Sequence, residues 1–311
     1  MKVAITGAAG YVGSLLVRAH AARGDNVHAT ARDAKRIAAH AGVTRYEADL
    51  VASEALPDAF FQGADVLYHC AAEISREPAM RSINVDATLA LLTRARGRIG
   101  HWVQVSSLSI YGTPRTGVVD EHTPERPRST YAQTKHEADR AVAAHAGAFS
   151  HTIVRPSAVI GPGMRTRSIL ALIEAVARGR FCFIGARGAI GNYIHEDNLV
   201  EALILCGTRE RARGRAYIVS QNCTIEDMVG TIAAALGVAP TPHRIPESIA
   251  RAAAQVARIV PSFPLTPARV DALTSRVEYR SDAIARELAY TPRKTIEDGL
   301  REIVALWRQP A

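Results

Sequence analysis

The sequence predicts an α/β protein built on a doubly wound, mostly parallel sheet with a smaller C-terminal lobe. Three observations lead there. Short apolar runs alternate with helical segments from the first residues onward. A glycine-rich turn separates the first run from the first helix. Beyond Arg178 the alternation loosens, and from Pro240 prolines punctuate a series of helices. A chain of 311 residues accommodates one large or two ordinary domains. The pattern divides it into residues 1–161, joined by later sheet elements near 190–220, and a second lobe from 162–189 and 221–311.

The first strand is Val3-Ala4-Ile5 and the first helix opens at Ser14-Leu15-Leu16-Val17. Between them lies Thr6-Gly7-Ala8-Ala9-Gly10-Tyr11-Val12-Gly13. Backbone N–H groups at a helix start lack partners and carry the positive end of the helix dipole, so a strand, a glycine turn and a helix start make an anion site. Gly7 permits the tight turn, Gly10 lets a pyrophosphate reach the backbone, and Gly13 lets the helix pack closely. Tyr11 and Val12 supply N–H groups at the same place. The spacing is G-x-x-G-x-x-G, and its position between strand and helix makes it a dinucleotide fingerprint.

The second strand, Val27 to Ala31, ends where an acidic residue would hold the ribose hydroxyls of NAD(H). Arg32 follows instead, with Lys35 and Arg36 close behind, and a guanidinium suits a ribose 2′-phosphate. The expected cofactor is therefore NADP(H), with NAD(H) as the alternative. Val43 to Tyr46 forms a third strand, after which Asp49 and Leu50 are expected near the adenine, or Asp49 as a helix cap. The strand from Asp65 ends in Ala71-Ala72, small enough for a cofactor to pass. A helix around Ile83–Leu92, a strand Trp102–Ser107, a surface loop Val119–Ser129 and a helix from Thr130 come next. Thr152-Ile153-Val154-Arg155-Pro156 is a strand, Ser168–Ala177 an amphipathic helix, and Tyr193–Leu199 leads into a helix Val200–Cys206. Ala216–Val219 is a further strand, and Ile225–Leu236 a further helix.

Composition narrows the function. Apolar residues at 48% and charged residues at 22% suit a water-soluble globular protein. A strand starting at Lys2 leaves no room for a signal peptide, and no apolar run is long enough for a bilayer. Four cysteines without C-x-x-C spacing are expected to be reduced thiols, which with the rest points to the cytoplasm. The net charge of +8 comes from arginines dispersed along helices, with aromatics only 5%, which argues against nucleic-acid binding. The eleven histidines show no metal-ligand spacing, so no metal is expected.

Tyr131 and Lys135 stand four residues apart on one helix face. An unperturbed tyrosine, with a pKa of about 10, is a poor acid or base at neutral pH. An ammonium one turn away favours its phenolate and brings that value down. A serine at the end of a neighbouring strand, Ser107, can hold a substrate carbonyl oxygen against the tyrosine hydroxyl.

Taken together, these motifs resemble the extended short-chain dehydrogenases/reductases, often called NAD-dependent epimerase/dehydratases, over almost the whole chain. The resemblance rests on Thr6–Gly13, Asn84–Thr88, Val105–Gly112, Tyr131–Lys135, Arg155-Pro156 and Gly161-Pro162-Gly163. It also takes in Leu288-Ala289-Tyr290-Thr291-Pro292, where Ala289 replaces the usual glycine. It implies a Rossmann sheet with a substrate-binding C-terminal lobe and a homodimer. Tyr131 would be the acid/base, and Lys135 would tune it and bind the nicotinamide ribose. Ser107 would orient the reacting oxygen, with Ser106 the fallback. Asn84 joins the catalytic set beside the cofactor, and Pro156 the cofactor-binding one.

Departures from the pattern sharpen the activity. Leu108 and Ser109 stand where dehydratases carry Asp-Glu, which argues against dehydration. Gly191 stands where galactose epimerases carry a diphosphate-gripping arginine. Asp197-Asn198-Leu199 and the Ala31-Arg32-Asp33 strand end look more like the dihydroflavonol-reductase and 3β-hydroxysteroid-dehydrogenase branches, or nucleotide-sugar 4-keto reductases. Ser109, His195 and Arg276 are candidate substrate contacts, with Arg165 and Arg167 as further diphosphate candidates and a structural role the competing reading for His195. The expected function is NADP(H)-dependent interconversion of a ketone and a secondary alcohol on a small molecule. The rivals are an NAD-dependent nucleotide-sugar 4-epimerase and a non-catalytic NADP-binding regulator.

Overall fold

The computed structural model describes residues 1–145, 147–164, 167–239, 242–256 and 265–309. In chain order its elements are β1 Lys2–Thr6, α1 Tyr11–Ala22, β2 Asn26–Ala31, β3 Val43–Glu47, β4 Ala64–His69, α2 Glu77–Arg81, α3 Ala87–Ala95, β5 Ile99–Val105, β6 Thr116–Val119, α4 Thr130–Ala144, β7 Ser150–Pro156 and β8 Ala158–Ile160. There follow α5 Arg167–Ala177, β9 Phe183–Ile184, β10 Ile190–His195, α6 Glu196–Thr208, β11 Arg215–Val219, β12 Gln221–Thr224, α7 Ile225–Leu236, β13 Arg244–Ile245, α8 Glu247–Val256, α9 Pro267–Thr274, β14 Arg276–Tyr279, α10 Asp282–Leu288 and α11 Ile296–Trp307.

Seven strands form one sheet in the order β11-β7-β5-β4-β1-β2-β3, every pair parallel. Chain direction across the sheet reverses between β1 and β4, the point where open α/β sheets leave a crevice beyond their strand ends. The alternating β and α elements expected from the sequence, and their doubly wound order, are thus present. Apolar residues cover both faces. Leu16, Val17, Leu199 and Leu203 bury one side under α1 and α6. Leu91, Leu92 and Val142 of α3 and α4 bury the other with Trp102, Phe60 and Phe61. Separately, α5, α7 and α11 pack Ile169, Ile173, Met228, Ile232, Leu300 and Ile303 into their own core.

Some boundaries differ from the sequence reading, for local reasons. Between α2 and α3, residues Ser82–Asp86 form a π-helical turn rather than a continuous helix. Val119 ends a strand, β6, which pairs in parallel with β14 far along the chain. Helix α6 starts at Glu196, earlier than Val200, because the His195 side chain accepts from the Asp197 N–H and acidic residues occupy its first turn.

Ala289 terminates α10 at φ 56°, ψ 34°. Among the described residues it is the one non-glycine with positive φ, so the alanine standing in the usual glycine position carries a left-handed backbone. That conformation costs an alanine about 1 kcal/mol. Ala289→Gly is expected to gain roughly that stability, raising the thermal midpoint by about 2 °C in a calorimetric melt.

Candidate active site

A cleft of about 1430 Å³ runs along the carboxyl ends of the strands, past the β1/β4 switch point. At its floor, Gly7 turns at φ +65° and its O accepts from Gly10 N at 2.8 Å. Helix α1 begins with no side chain capping it and no acidic residue in its first turn. With the Gly10 N–H taken by Gly7, the N–H groups left at the helix start are those of Tyr11, Val12 and Gly13, all residues that line the cleft. The packing leaves no room for side chains. A Cβ on Gly13 would stand 2.2 Å from Gly7 O, and one on Gly7 would stand 2.6 Å from Ala71 N at the end of β4. Such a backbone cradle fits a pyrophosphate. The Tyr11 hydroxyl points away, donating to Glu196 at the start of α6.

At one end of the cleft the tips of β2 and β3 contribute Arg32, Arg36, Asp49 and Leu50. Asp33 caps the turn that follows β2, its carboxylate accepting from Lys35 N at 3.0 Å. That holds Arg32 and Arg36 exposed on either side of it. Asp49 both lines the cleft and caps, accepting from Val51 N at 3.1 Å. Ala71 and Ala72 line the middle, with Pro156 opposite.

Ser107, Ser109 and Tyr131 line the other end. Burial raises the Tyr131 phenol above its ordinary value; a hydrogen bond with the Ser107 side chain partly opposes this and the Asp139 charge adds to it. The adjacent serine does something else, since Ser106 Oγ donates to Asp139 Oδ2 at 2.6 Å in the interior. Lys135 is buried behind the wall and donates from Nζ to the Val105 carbonyl at 2.6 Å. Burial pushes its ammonium pKa down, and Asp139 resists. Burial lifts the Asp139 carboxyl to about 6 despite Lys135, Ser106 and Arg155. For Tyr131 itself burial is the largest influence, and the Lys135 ammonium is not among the groups that shift it. The ammonium is engaged by a carbonyl and faced by Asp139, so desolvation decides the direction.

Asn84 is buried and lies outside the cleft lining. Its Oδ1 accepts from Glu73 N at 2.7 Å, while Nδ2 donates to Glu73 O and to Thr134 Oγ1, both at 3.0 Å. With its amide filled by these three bonds, it positions the loop after β4 and ties it to α4. The resemblance expects it in the catalytic set; in the structure its side chain serves this loop and does not line the cleft.

Two substrate candidates lie elsewhere. His195 is fully buried between Asp197 N, at 3.1 Å from Nδ1, and Glu302 Oε2, at 3.0 Å from Nε2. Arg276 spends its Nη2 on the carbonyls of Ala186 and Arg187, at 2.9 and 3.2 Å. Neither lines the cleft. Arg165 falls outside the described residues, as does the side chain of Arg167.

Several lining residues went unread in the sequence: Glu73, Ile74 and Arg76 after β4, Val159 after β7, and Tyr279 at the end of β14. The first three follow directly on Ala71-Ala72, beyond a strand end at the switch point, and that position was a usable signal. Tyr279 arrives from the far end of the chain with no local cue. Burial pushes the Glu73 carboxyl up, yet hydrogen bonds from Arg76 and Ser75 outweigh it and hold the group at about 2. Among the described residues, no group of three His, Cys, Asp or Glu side chains could hold a metal ion. No helix there is long and apolar enough to cross a membrane.

A family model described as the NAD dependent epimerase/dehydratase family matches residues 3–220. The chain belongs to that family. Its members are extended short-chain dehydrogenases/reductases, and this chain is an NAD(P)-dependent oxidoreductase of that type. It is 29% identical to the 4-hydroxy-2-methyl-3-oxo-4-farnesyl-3,4-dihydroquinoline-1-oxide ketoreductase of Stigmatella aurantiaca, covering 96% of this chain and 95% of that one. It is 27% identical to a 2-alkyl-3-oxoalkanoate reductase of Stenotrophomonas maltophilia, over 98% and 99% of the two chains. In fold it is similar to UDP-glucuronic acid 4-epimerase from Bacillus cereus in complex with NAD, with a TM-score of 0.77 and 17% identity over 99% of this chain and 100% of that one.

Because His195 is a cap and a buried anchor, His195→Ala is expected to cost at least about 1 kcal/mol of stability. It should leave cofactor affinity within twofold. A thermal melt beside a cofactor titration checks both halves.

Proposed function

We propose that the chain is an NADP(H)-dependent reductase that interconverts a ketone and a secondary alcohol on a small, largely apolar molecule. The observation that carries this is the pair of hydroxyls, Ser107 and Tyr131, facing one cleft with the glycine cradle while Lys135 lies behind them. When bound, the reduced nicotinamide supplies a hydride to the carbonyl carbon. Ser107 and Tyr131 hold the carbonyl oxygen between two donors, and Tyr131 passes its proton to that oxygen as negative charge develops there. Burial keeps the Tyr131 phenol protonated, as an acid in the reducing direction must be, and opposes release of its proton. The buried Lys135 ammonium, one helical turn away, favours the phenolate left behind.

The preference for the phosphorylated cofactor rests on Arg32 and Arg36. Both are exposed at the end of β2, and neither has an ion-pair partner among the described residues. Ile74, Leu108, Val159 and Tyr279 make the substrate end apolar. Among the described lining residues there, Arg76 is the one guanidinium, which suits a ketone better than a nucleoside diphosphate. The names of the two similar ketone reductases agree with this direction.

Tyr131→Phe is expected to lower kcat at least about a hundredfold while retaining NADPH binding; turnover near the wild-type rate would remove Tyr131 from the mechanism. Arg32→Ala should weaken NADPH about ten- to a hundredfold, the value of one charge-assisted contact, and leave NADH nearly unchanged. Mass analysis of cofactor carried through purification supplies the contrary result. Tightly retained, stoichiometric NAD would favour the epimerase, and cofactor binding without any turnover would favour a regulator.

A further inference from the structure

Arg76 stands at the substrate end of the cleft, and nothing in the proposed reduction uses it. Its surroundings are built. Glu73 is only 8% exposed. Its Oε2 accepts from Arg76 Nε at 2.8 Å and stands 2.7 Å from Nη2 in the same ion pair. Its Oε1 accepts from Ser75 N, Ser75 Oγ and Arg76 N at 3.1, 2.9 and 3.0 Å. Behind it, Asn84 brackets the Glu73 backbone from both sides. Ahead of it, Glu77 accepts from Thr130 Oγ1, the residue next to Tyr131. The loop bearing Arg76 is therefore tied at both ends, once to the π-helical turn and once to the head of the catalytic helix.

This leaves the guanidinium oriented but incompletely used. Its side chain is 59% exposed, and the contacts with Glu73 take Nε and Nη2 only. Among the described residues Nη1 has no hydrogen-bond or ion-pair partner. Other cations lining the cleft, Arg32 and Arg36, sit beyond β2 at the opposite end. Since Glu73 already fixes the rotamer, an incoming anion need not order a flexible side chain. The Glu73 carboxylate already balances the guanidinium charge and leaves Nη1 as the free donor, so the site suits one planar monoanion better than a diphosphate.

We propose that Arg76 is a substrate carboxylate subsite, and that the ketone reduced here is an oxo acid whose apolar chain lies against Ile74, Leu108, Val159 and Tyr279. This rests on the ketone-reductase reading and deepens it. The carboxylate accepts from Nη1 and is held near Tyr131, while the carbonyl oxygen meets Ser107 and Tyr131.

The test uses the full chain with saturating NADP(H) and a matched pair of substrates, racemic 3-hydroxyoctanoate and its methyl ester, followed in the oxidative direction. The wild type should favour the acid in kcat/KM. Arg76→Gln should raise KM for the acid about ten- to a hundredfold and change the ester less than twofold, and Arg76→Lys should recover part of the loss. A thermal melt of each variant measures what losing the Glu73 ion pair costs the fold, and the kinetics are taken at a temperature where every variant is fully folded, which keeps folding out of the comparison. Equal losses on acid and ester, or a change in NADPH affinity, would overturn the subsite.

Calorimetric binding of 3-hydroxyoctanoate to NADP-loaded Tyr131→Phe, with and without Arg76→Gln, separates this proposal from the one beneath it. Binding that depends on Arg76 while the wild type turns over neither substrate supports the subsite and sinks the reductase reading. Acid binding no tighter than ester binding sinks the subsite alone.

Discussion

Everything at the cleft depends on how closely the start of α1 lies against the ends of β1 and β4. The contact is backbone on backbone: Gly13 against the Gly7 carbonyl, and Gly7 against the chain at Ala71. A methyl group at either place would have to displace main chain, which cannot give way as a flexible side chain can. This approach aims the unpaired N–H groups of α1 into the crevice of a parallel sheet, and it brings the loop after β4 alongside. The cofactor cradle and the substrate wall share that constraint.

A second constraint is buried and polar. Lys135, Asp139, Ser106 and the Val105 carbonyl meet beneath the Tyr131 face of α4. Buried charges are tolerated only when paired or hydrogen-bonded, and here each group finds a partner on a different element. The result couples α4 to the end of β5, so the hydroxyls of Ser107 and Tyr131 are set by rigid elements rather than by a loop. Asn84 performs the same service from the π-helical turn, joining the loop at Glu73 to Thr134 on α4.

This arrangement divides labour between neighbours that look alike in sequence. Ser106 serves the interior and Ser107 the cleft, because successive residues leaving a strand point to opposite sides. Asp33 turns back to cap its own chain, leaving Arg32 and Arg36 outward. His195 and Arg276 satisfy a helix start and two carbonyls, tasks invisible until the elements are assembled.

The sequence by itself determined the sheet and the glycine turn at the floor of the cleft. Glycine spacing, strand periodicity and the Tyr-x-x-x-Lys step are local properties, encoded within a few residues, and local properties survive in one dimension. Tertiary structure decided what depends on distant partners. Whether Asn84 faced a ligand or a loop turned on Glu73 and Thr134. Whether the tyrosine pKa fell or rose turned first on burial, with Ser107 and Asp139 acting in opposite directions. The substrate wall was least legible, since Tyr279 reaches it from β14, paired with β6 across some 160 residues. Side chains brought together from such separations leave no periodic trace in the chain, because their spacing is set by packing and not by the pitch of any one element.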